Sequence, residues 1–210
     1  MAMKTLHYHP IASFCWKVLI GLYELDVPFE KHVVDLADPD AKAAFTKLSP
    51  MGKMPALVDG DRVVLESTIL LEHVDLERRL VQSLECRALD RFYDFYVHAP
   101  MQKVVFDELR PAAARDPYGV AEARAQLETA YRVADERMRG RTWACGDDFT
   151  LADCAAAPAL YYADRVHALG AHDALAAYLE RLRARPSFAR VLDEAAPLMH
   201  LFEGLIRSNA

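Results

Sequence analysis

The sequence predicts an α/β domain followed by an all-α domain, and three observations support this fold class. The first 80 residues alternate between strand and helix periodicity in the order β-α-β-α-β-β-α. From about Leu84 onward, apolar residues recur at helical spacing almost throughout. The chain has 210 residues, 53% of them hydrophobic and 27% charged, which is enough apolar surface for a globular core. We therefore predict two domains, 1–80 and 86–210, joined by a short linker.

Prolines and glycines divide the predicted α/β domain into its elements. Pro28 ends the first helix, because a proline disfavours helix in the residue before it. Pro39 suits the first turn of the second helix, and Gly60 suits the tight turn of a hairpin. The predicted elements are strands at 5–8, 29–36, 56–58 and 63–65, and helices at 14–25, 38–48 and 67–80.

The predicted all-α domain has helices separated by proline and glycine residues. Pro100 falls inside the first of these helices and should kink it. Thr150 and Asp153 have the spacing of a capping box, in which each side chain satisfies a backbone N–H of the other residue. The predicted helices are 86–110, 119–139, 151–168, 174–184 and 187–195.

Charge and cysteine spacing exclude several classes of function. The net charge of −6 argues against nucleic-acid or anionic-membrane binding, for which a basic surface dominates affinity. The four cysteines form no C-x-x-C pair, so no zinc ribbon or dithiol redox motif is predicted. His7 and His9 share a strand face without a third ligand at suitable spacing, so no metal site is predicted. With no apolar membrane span and no signal-peptide pattern, we expect a cytoplasmic protein.

The strongest local motif runs from Ser49 to Gly60 and is followed by Glu66 and Ser67. Pro55 directly precedes a short strand, and a cis bond before it would turn the backbone of Met54 outward, free to pair with an extended peptide. Ser67 begins a helix, whose N-terminus favours an anion, and Glu66 beside it could hold a cation. Together these residues suit the zwitterionic end of an amino acid.

This arrangement resembles the soluble glutathione transferase family over essentially the whole chain. The resemblance implies a thioredoxin-like N-terminal domain, a helical-bundle C-terminal domain and a two-fold homodimer. It implies a cis bond before Pro55 and pairing of Met54 with the cysteinyl backbone of glutathione. It also implies that Glu66 and Ser67 hold the γ-glutamyl end of glutathione. The segment Gly146–Asp153 is similar to the family's element at the start of a core helix.

Two lysines are further candidates for binding glutathione. Lys53 takes a position that is often Gln in the phi and zeta classes of the family. Lys42 falls near the position at which some phi-class members place a basic residue against the glycine carboxylate of glutathione, although a solvated helix lysine is an equal interpretation.

The resemblance implies conjugation of the glutathione thiolate to a small hydrophobic electrophile. Glutathione would be a cosubstrate, and neither a metal nor an organic cofactor is needed. One alternative is a glutathione-dependent cis-trans isomerase similar to maleylacetoacetate isomerase, although the Ser-Ser-Cys of that class is not reproduced by Ala12-Ser13-Phe14. Another alternative is a non-catalytic glutathione-binding or ligand-binding protein on the same fold, which Ala12 favours.

The group that stabilises the thiolate is expected just after the first strand. A free thiol has a pKa of about 8.5, and lowering it by roughly 2 units takes ~2.7 kcal/mol. Ser13 is the preferred donor, in the first turn of the first helix, whereas Ala12 stands where serine-class relatives have their first serine. Three alternatives stay open: backbone N–H groups alone, a mixed disulfide at Cys15, and the hydroxyl of Tyr8.

The aromatic and leucine residues of two helices suggest the remaining surfaces. Tyr96 and Met101 are candidates for the electrophile pocket. The subunit interface is expected to use the helix at 67–80 and the helix that starts near residue 86, through Leu70, Leu71, Phe92 and Phe95.

Overall fold

A computed structural model describes residues 3–207, and its N-terminal part is a four-stranded mixed sheet with helices α1–α3. The strand order is β2-β1-β3-β4, in which β1 is parallel to β2 and antiparallel to β3, and β3 is antiparallel to β4. The elements are β1 (Lys4–Tyr8), α1 (Ser13–Glu24), β2 (Phe29–Val33), α2 (Pro39–Leu48), β3 (Ala56–Asp59), β4 (Arg62–Leu65) and α3 (Ser67–Val74).

Two of these elements are shorter than the sequence predicted. β2 ends at Val33 rather than at residue 36, and the chain then turns through Asp35, whose carboxylate accepts the N–H of Ala37 at 2.8 Å. α3 ends at Val74 rather than at residue 80. The buried carboxylate of Asp75 accepts the backbone N–H groups of residues 79, 80 and 81 at 2.7–2.8 Å, which holds that segment outside the helix.

The rest of the described chain consists of helices joined by loops. Its elements are α4 (Leu84–Phe92), a π-helical segment (Tyr93–His98), α5 (Ala99–Glu108), α6 (Pro117–Met138), α7 (Leu151–Val166), α8 (Asp173–Ala184), α9 (Pro186–Ala195) and α10 (Met199–Arg207). No helix in residues 3–207 is long and apolar enough to cross a membrane.

Residues 84–108 form a helix with an irregular middle, where the sequence predicted one helix kinked at Pro100. The irregularity precedes the proline: the N–H of Ala99 donates to the carbonyl of Asp94 five residues earlier, as in a π-helix. Pro100 occupies the first turn of α5, where its missing N–H interrupts no regular α-helical ladder. The wider turn ends at His98.

Helix α7 is the centre of the core. It packs against α1 and α4, and Trp16 of α1 stacks near Tyr161 and Tyr162 of α7, at ring-centroid distances of 5.1 and 4.8 Å. The capping box at its start is confirmed: Asp153 accepts the N–H of Thr150 at 2.8 Å. This packing joins the α/β part and the helical part through one apolar core.

Leu70 and Leu71, which the sequence placed at a subunit interface, are fully buried within this chain. Leu71 packs against Gly21 of α1, where any larger residue would overlap its side chain. These two leucines are therefore core residues. Large apolar side chains exposed in the same region include Ile69 and Phe95, with exposed fractions of 50% and 59%.

Candidate functional site

A cavity of about 630 Å³ lies where the sheet meets helices α4 and α5. Strand pairing explains its position. His7 pairs with Ala56, and Ala56 pairs with Leu65 on its other side. The segment after β1, the residues before β3 and the residue after β4 therefore meet at one edge of the sheet. These three segments form the polar wall of the cavity.

The structure brings most of the predicted site residues to this wall. The cavity is lined by Ser13, Lys53, Met54, Pro55, Glu66 and Ser67. The peptide bond between Met54 and Pro55 is cis. Lys42 lies exposed on α2, outside the lining of the cavity, so the structure does not bring it to the other predicted residues.

Glu66 and Ser67 form an unusual start to α3. Glu66 has φ of 68°, in the left-handed region that residues other than glycine rarely adopt. It is the N-cap of α3, yet its side chain does not cap the helix. Ser67 follows as the first helical residue and is buried beside the cavity. The first turn of α3 thus keeps N–H donors for an anion, and the Glu66 carboxylate adds a negative charge to the cavity wall, where it interacts with the charge of Arg91.

A buried ionic network supports this wall from behind. Lys17 of α1 lies 2.6 Å from a carboxylate oxygen of Asp90 and 2.7 Å from one of Asp94. Its ammonium group also donates to the hydroxyl of Thr68 at 2.9 Å. Arg91 extends from this network into the cavity; burial opposes its charge, but the hydrogen bond to Asp90 raises its pKa. Neither Arg91 nor Asp94 was predicted, since a charged helical residue usually faces solvent.

Ser13 is the first residue of α1, and its hydroxyl forms a hydrogen bond with Nε2 of His98. His98 is buried, and burial together with the charge of Lys17 lowers its pKa to about 3, so the ring is neutral at pH 7. The sequence analysis missed His98. It lies 85 residues away from Ser13, and nothing in its local pattern distinguishes it from any other helical histidine.

The other candidate donors to a thiolate lie differently. Cys15 is fully buried, and burial raises the pKa of its thiol to about 12, which leaves it unreactive. Tyr8 is buried as well, and burial raises its pKa. Neither Cys15 nor Tyr8, both of which the structure describes, lines the cavity. Ala12 provides no side-chain cap for the backbone N–H groups of Ser13 and Phe14, whereas the N–H of Cys15 donates to the carbonyl of Ala12 at 2.9 Å.

Sequence comparisons establish the family. Residues 6–80 match the model of the glutathione S-transferase N-terminal domain, and residues 117–181 match the model of its C-terminal domain. Glutathione S-transferase 3 of Zea mays is 30% identical to this chain over 215 residues, covering 94% of this chain and 96% of the maize protein. The chain belongs to the glutathione S-transferase family.

Two further relatives show the breadth of the similarity. A solved glutathione S-transferase from Methylobacillus flagellatus, with glutathione bound, superposes with a TM-score of 0.82 at 22% identity, covering 90% of this chain and 98% of that chain. A stringent starvation protein A homolog of Haemophilus influenzae is 28% identical over 203 residues, covering 93% of each chain. The predicted thioredoxin-like N-terminal domain and helical C-terminal domain are confirmed. Glutathione S-transferases use glutathione as cosubstrate and need no other cofactor.

In this glutathione S-transferase family member, the helical part supplies most of the apolar wall of the cavity, and Phe14 of α1 adds to it. Met101, one of the two candidates for the electrophile pocket, lies in this wall, whereas Tyr96 is 62% exposed and lies outside the cavity lining. α10, which the sequence did not predict, contributes Phe202, whose ring packs 4.7 Å from that of Tyr162. The apolar wall includes Phe14, Phe95, Met101, Phe106, Tyr162 and Phe202.

Proposed function

We propose that this chain conjugates the thiolate of glutathione to small hydrophobic electrophiles. One observation carries the proposal: the thioredoxin-like part lines the cavity with polar groups such as Glu66 and Ser67, whereas most of the large apolar side chains of the lining come from the helical part. The polar wall matches a charged peptide, and the apolar wall matches an uncharged organic molecule. Ser13 lies at the junction of the two walls, since it begins α1 and contacts His98.

The pose of glutathione follows from the polar wall. The γ-glutamyl carboxylate lies at the N-terminus of α3 beside Ser67, and the γ-glutamyl ammonium group pairs with the carboxylate of Glu66. The cysteinyl backbone pairs with Met54, as in an added strand. Lys53, exposed at the rim of the cavity, offers a cation for the glycine carboxylate. This pose directs the sulfur towards the first turn of α1.

The chemistry then needs only a stabilised thiolate and a positioned electrophile. The thiol loses its proton to solvent, and the Ser13 hydroxyl and the first-turn N–H groups of α1 stabilise the resulting anion. The sulfur attacks an electrophilic carbon, an S–C bond forms, and a leaving group departs with its electron pair. One donor of this kind contributes about 10²–10³ in rate when it faces the developing or full charge.

A second candidate is a non-catalytic glutathione-binding protein. Two observations favour it: Ala12 replaces the expected first serine, and the stringent starvation protein A homolog, a relative along 93% of the chain, does not carry a transferase name. Binding without turnover would distinguish this candidate from the first.

Calorimetry with glutathione and turnover of a chloronitrobenzene substrate test the proposal together. We expect saturable binding and conjugation, both retained in Lys47→Ala, an exposed change on α2 outside the lining of the cavity. Binding without conjugation of any electrophile would favour the second candidate. An absence of glutathione binding would contradict both.

We also propose a two-fold homodimer. Ile69 of α3 and Phe95 of the π-helical segment are large apolar side chains exposed on neighbouring elements, and the guanidinium of Arg91 lies 5.5 Å from the ring centre of Phe95. An isologous interface would bury this patch twice. Phe95 was already among the predicted interface residues, whereas Ile69 takes the place of the buried Leu70 and Leu71.

A further inference from the structure

The bond between Ser13 and His98 joins the two parts of the chain at the cavity. Ser13 is the first residue of α1, and His98 is the last residue of the π-helical segment. The ring of Phe14 packs 4.0 Å from the imidazole of His98, which restricts its rotation. The second ring nitrogen of His98, Nδ1, is buried and has no hydrogen-bond partner within residues 3–207.

The unpartnered Nδ1 indicates which nitrogen carries the proton. A neutral imidazole has one N–H and one bare nitrogen. A proton on Nδ1 would leave a buried N–H donor without an acceptor, which is rarer in proteins than an acceptor without a donor. A proton on Nε2 instead donates to the Ser13 hydroxyl and leaves only the lone pair of Nδ1 unpaired. Lys17, the charge that acts on the His98 ring, is itself paired with Asp94 and Asp90.

This tautomer determines the role of the serine. When Nε2–H of His98 donates to the oxygen of Ser13, the hydroxyl proton of Ser13 is free to point into the cavity. A hydroxyl that accepts one hydrogen bond is polarised and becomes a better donor in the next. The chain N–H···O–H···S⁻ would therefore end at the sulfur of glutathione.

The same pair does not fit a serine nucleophile. A serine is activated by a basic histidine whose other nitrogen is oriented by a third group, usually a carboxylate. Here Nδ1 has no such partner among the described residues, and burial and Lys17 depress the basicity of the ring. Proton abstraction from Ser13 by His98 is therefore unfavourable.

We propose that His98 is a positioning residue, which holds the Ser13 hydroxyl as a donor towards the glutathione sulfur. The inference rests on the proposed function, because it assumes that glutathione occupies the cavity. It adds a residue that acts through Ser13 and does not itself contact the reacting atoms.

Ultraviolet absorbance of the thiolate against pH, recorded for glutathione bound to each variant, tests the proposal. We expect His98→Leu to raise the pKa of the bound thiol by about 0.5–1 unit, with a smaller change in glutathione affinity. His98→Gln, whose side-chain amide can donate to Ser13, should restore most of the wild-type value. In a Ser13→Ala background, His98→Leu should cause no further shift, because the residue acts only through the serine.

The outcomes separate this inference from the proposed function. Suppose that the wild type binds glutathione and lowers the pKa of its thiol. The proposed role of His98 is then wrong if His98→Leu leaves that pKa unchanged. It is also wrong if His98→Leu shifts the pKa in the Ser13→Ala background as much as in the wild type. If the wild type binds no glutathione, the proposed function fails and the role of His98 fails with it. Should His98→Leu not fold, His98→Asn, with its shorter amide, replaces it in the comparison with His98→Gln.

Nitrogen NMR of the unliganded protein tests the tautomer without glutathione. We expect His98 to be neutral and protonated on Nε2 between about pH 5 and pH 8. A proton on Nδ1 would reverse the direction of the hydrogen bond and overturn the inference.

Discussion

Lys17 and Asp90 form an ion pair of 2.6 Å in which both side chains are almost completely buried. The contact is ionic rather than a well-aligned hydrogen bond. Two buried charges stabilise a fold only when further polar partners offset their desolvation, and here Thr68 and Asp94 do so. The pair ties α1, which begins at Ser13, to α4 and to the start of α3. It therefore holds both ends of the polar wall together.

Removing the ammonium group should destabilise the fold strongly. Lys17→Met leaves Asp90 and Asp94 with only the half-exposed guanidinium of Arg91 as a counterion, at 2.8 and 3.0 Å, and we expect a loss of about 3 kcal/mol in the free energy of unfolding. Urea denaturation measures this quantity. Lys47→Met, an exposed change on α2, should alter it by less than about 0.5 kcal/mol. Equal effects from the two variants would show that the buried pair contributes no special stability.

The start of α3 should govern glutathione affinity. Ser67→Ala removes a hydrogen bond to a charged group, so calorimetric affinity should fall by about 1–3 kcal/mol. Glu66→Ala should weaken binding through loss of the carboxylate that faces the ammonium group. Thr46→Ala, an exposed hydroxyl change on α2, is the matched control. If neither Ser67→Ala nor Glu66→Ala changed the affinity for glutathione, the proposed pose of glutathione would be wrong.

The serine should control thiolate formation more than binding. Ser13→Ala should raise the pKa of bound glutathione and lower kcat/KM by about 10–1,000-fold, while affinity changes little. Cys15→Ala should matter much less, because its buried thiol stays protonated. A mixed disulfide would be indicated instead if Ser13→Ala left the thiolate titration unchanged and Cys15→Ala abolished activity. Activity that survives both changes would assign the thiolate to backbone N–H groups.

The exposed apolar patch should mediate assembly. Light scattering at micromolar concentration should report about twice 23.6 kDa for the wild type. Ile69→Glu places a charge in the proposed interface and should shift the protein towards monomer. Leu109→Glu, at a similarly exposed site after α5, should leave the dimer intact. A wild type that is monomeric under these conditions would refute the assembly.

The ion pair between Glu24 of α1 and Arg185 at the start of α9 is called the clamp here, and it should make the stability of the fold depend on pH. Arg185 donates to Glu24 at 2.9 and 2.6 Å; burial opposes the charge of Glu24, but these bonds and that of Ser187 lower its pKa. A carboxyl group whose pKa is lowered by folding stabilises the fold at pH values above its ordinary pKa of about 4.3. This stabilisation is lost as the pH falls through the pKa of the folded state. Glu24→Gln should therefore lower the Tm at pH 7, and the difference from wild type should shrink in acid.

The control for this pH effect is Glu180→Gln. Glu180 pairs with Arg183 at 3.0 Å, but its side chain is 69% exposed, so the pair contributes little. The Tm of Glu180→Gln should follow that of the wild type at each pH. A difference between Glu24→Gln and wild type that stays constant with pH would contradict the clamp.

Local sequence was sufficient for the order of elements in the first 80 residues and for part of the candidate site. Met54–Pro55, Glu66 and Ser67 were found because each one belongs to a short motif at the end of a strand or the start of a helix. Strand pairing then brings these motifs together at one edge of the sheet. The capping box at Thr150 and Asp153 was found for the same reason, since its two residues lie within one helical turn.

Burial was harder to predict than periodicity. By spacing alone, Leu70 and Leu71 could belong either to a subunit interface or to the core. Their complete burial, and the close packing of Leu71 on α1, show that they are core residues. The length of α3 was overestimated, because the carboxylate of Asp75 competes for the next backbone N–H groups. Such competition depends on where a side chain folds back, which periodicity does not record.

The sequence by itself determined the family fold, the cis-proline motif and the residues that begin α1 and α3. Only the tertiary structure decided that Ser13 meets His98, that Cys15 is unreactive and that Phe202 closes the apolar wall. The reason is physical: a motif of adjacent residues is held by local backbone geometry, whereas a hydrogen bond across 85 residues exists only once helices from both parts have packed. The pKa of a buried group is likewise set by its neighbours in space, which chain order does not specify.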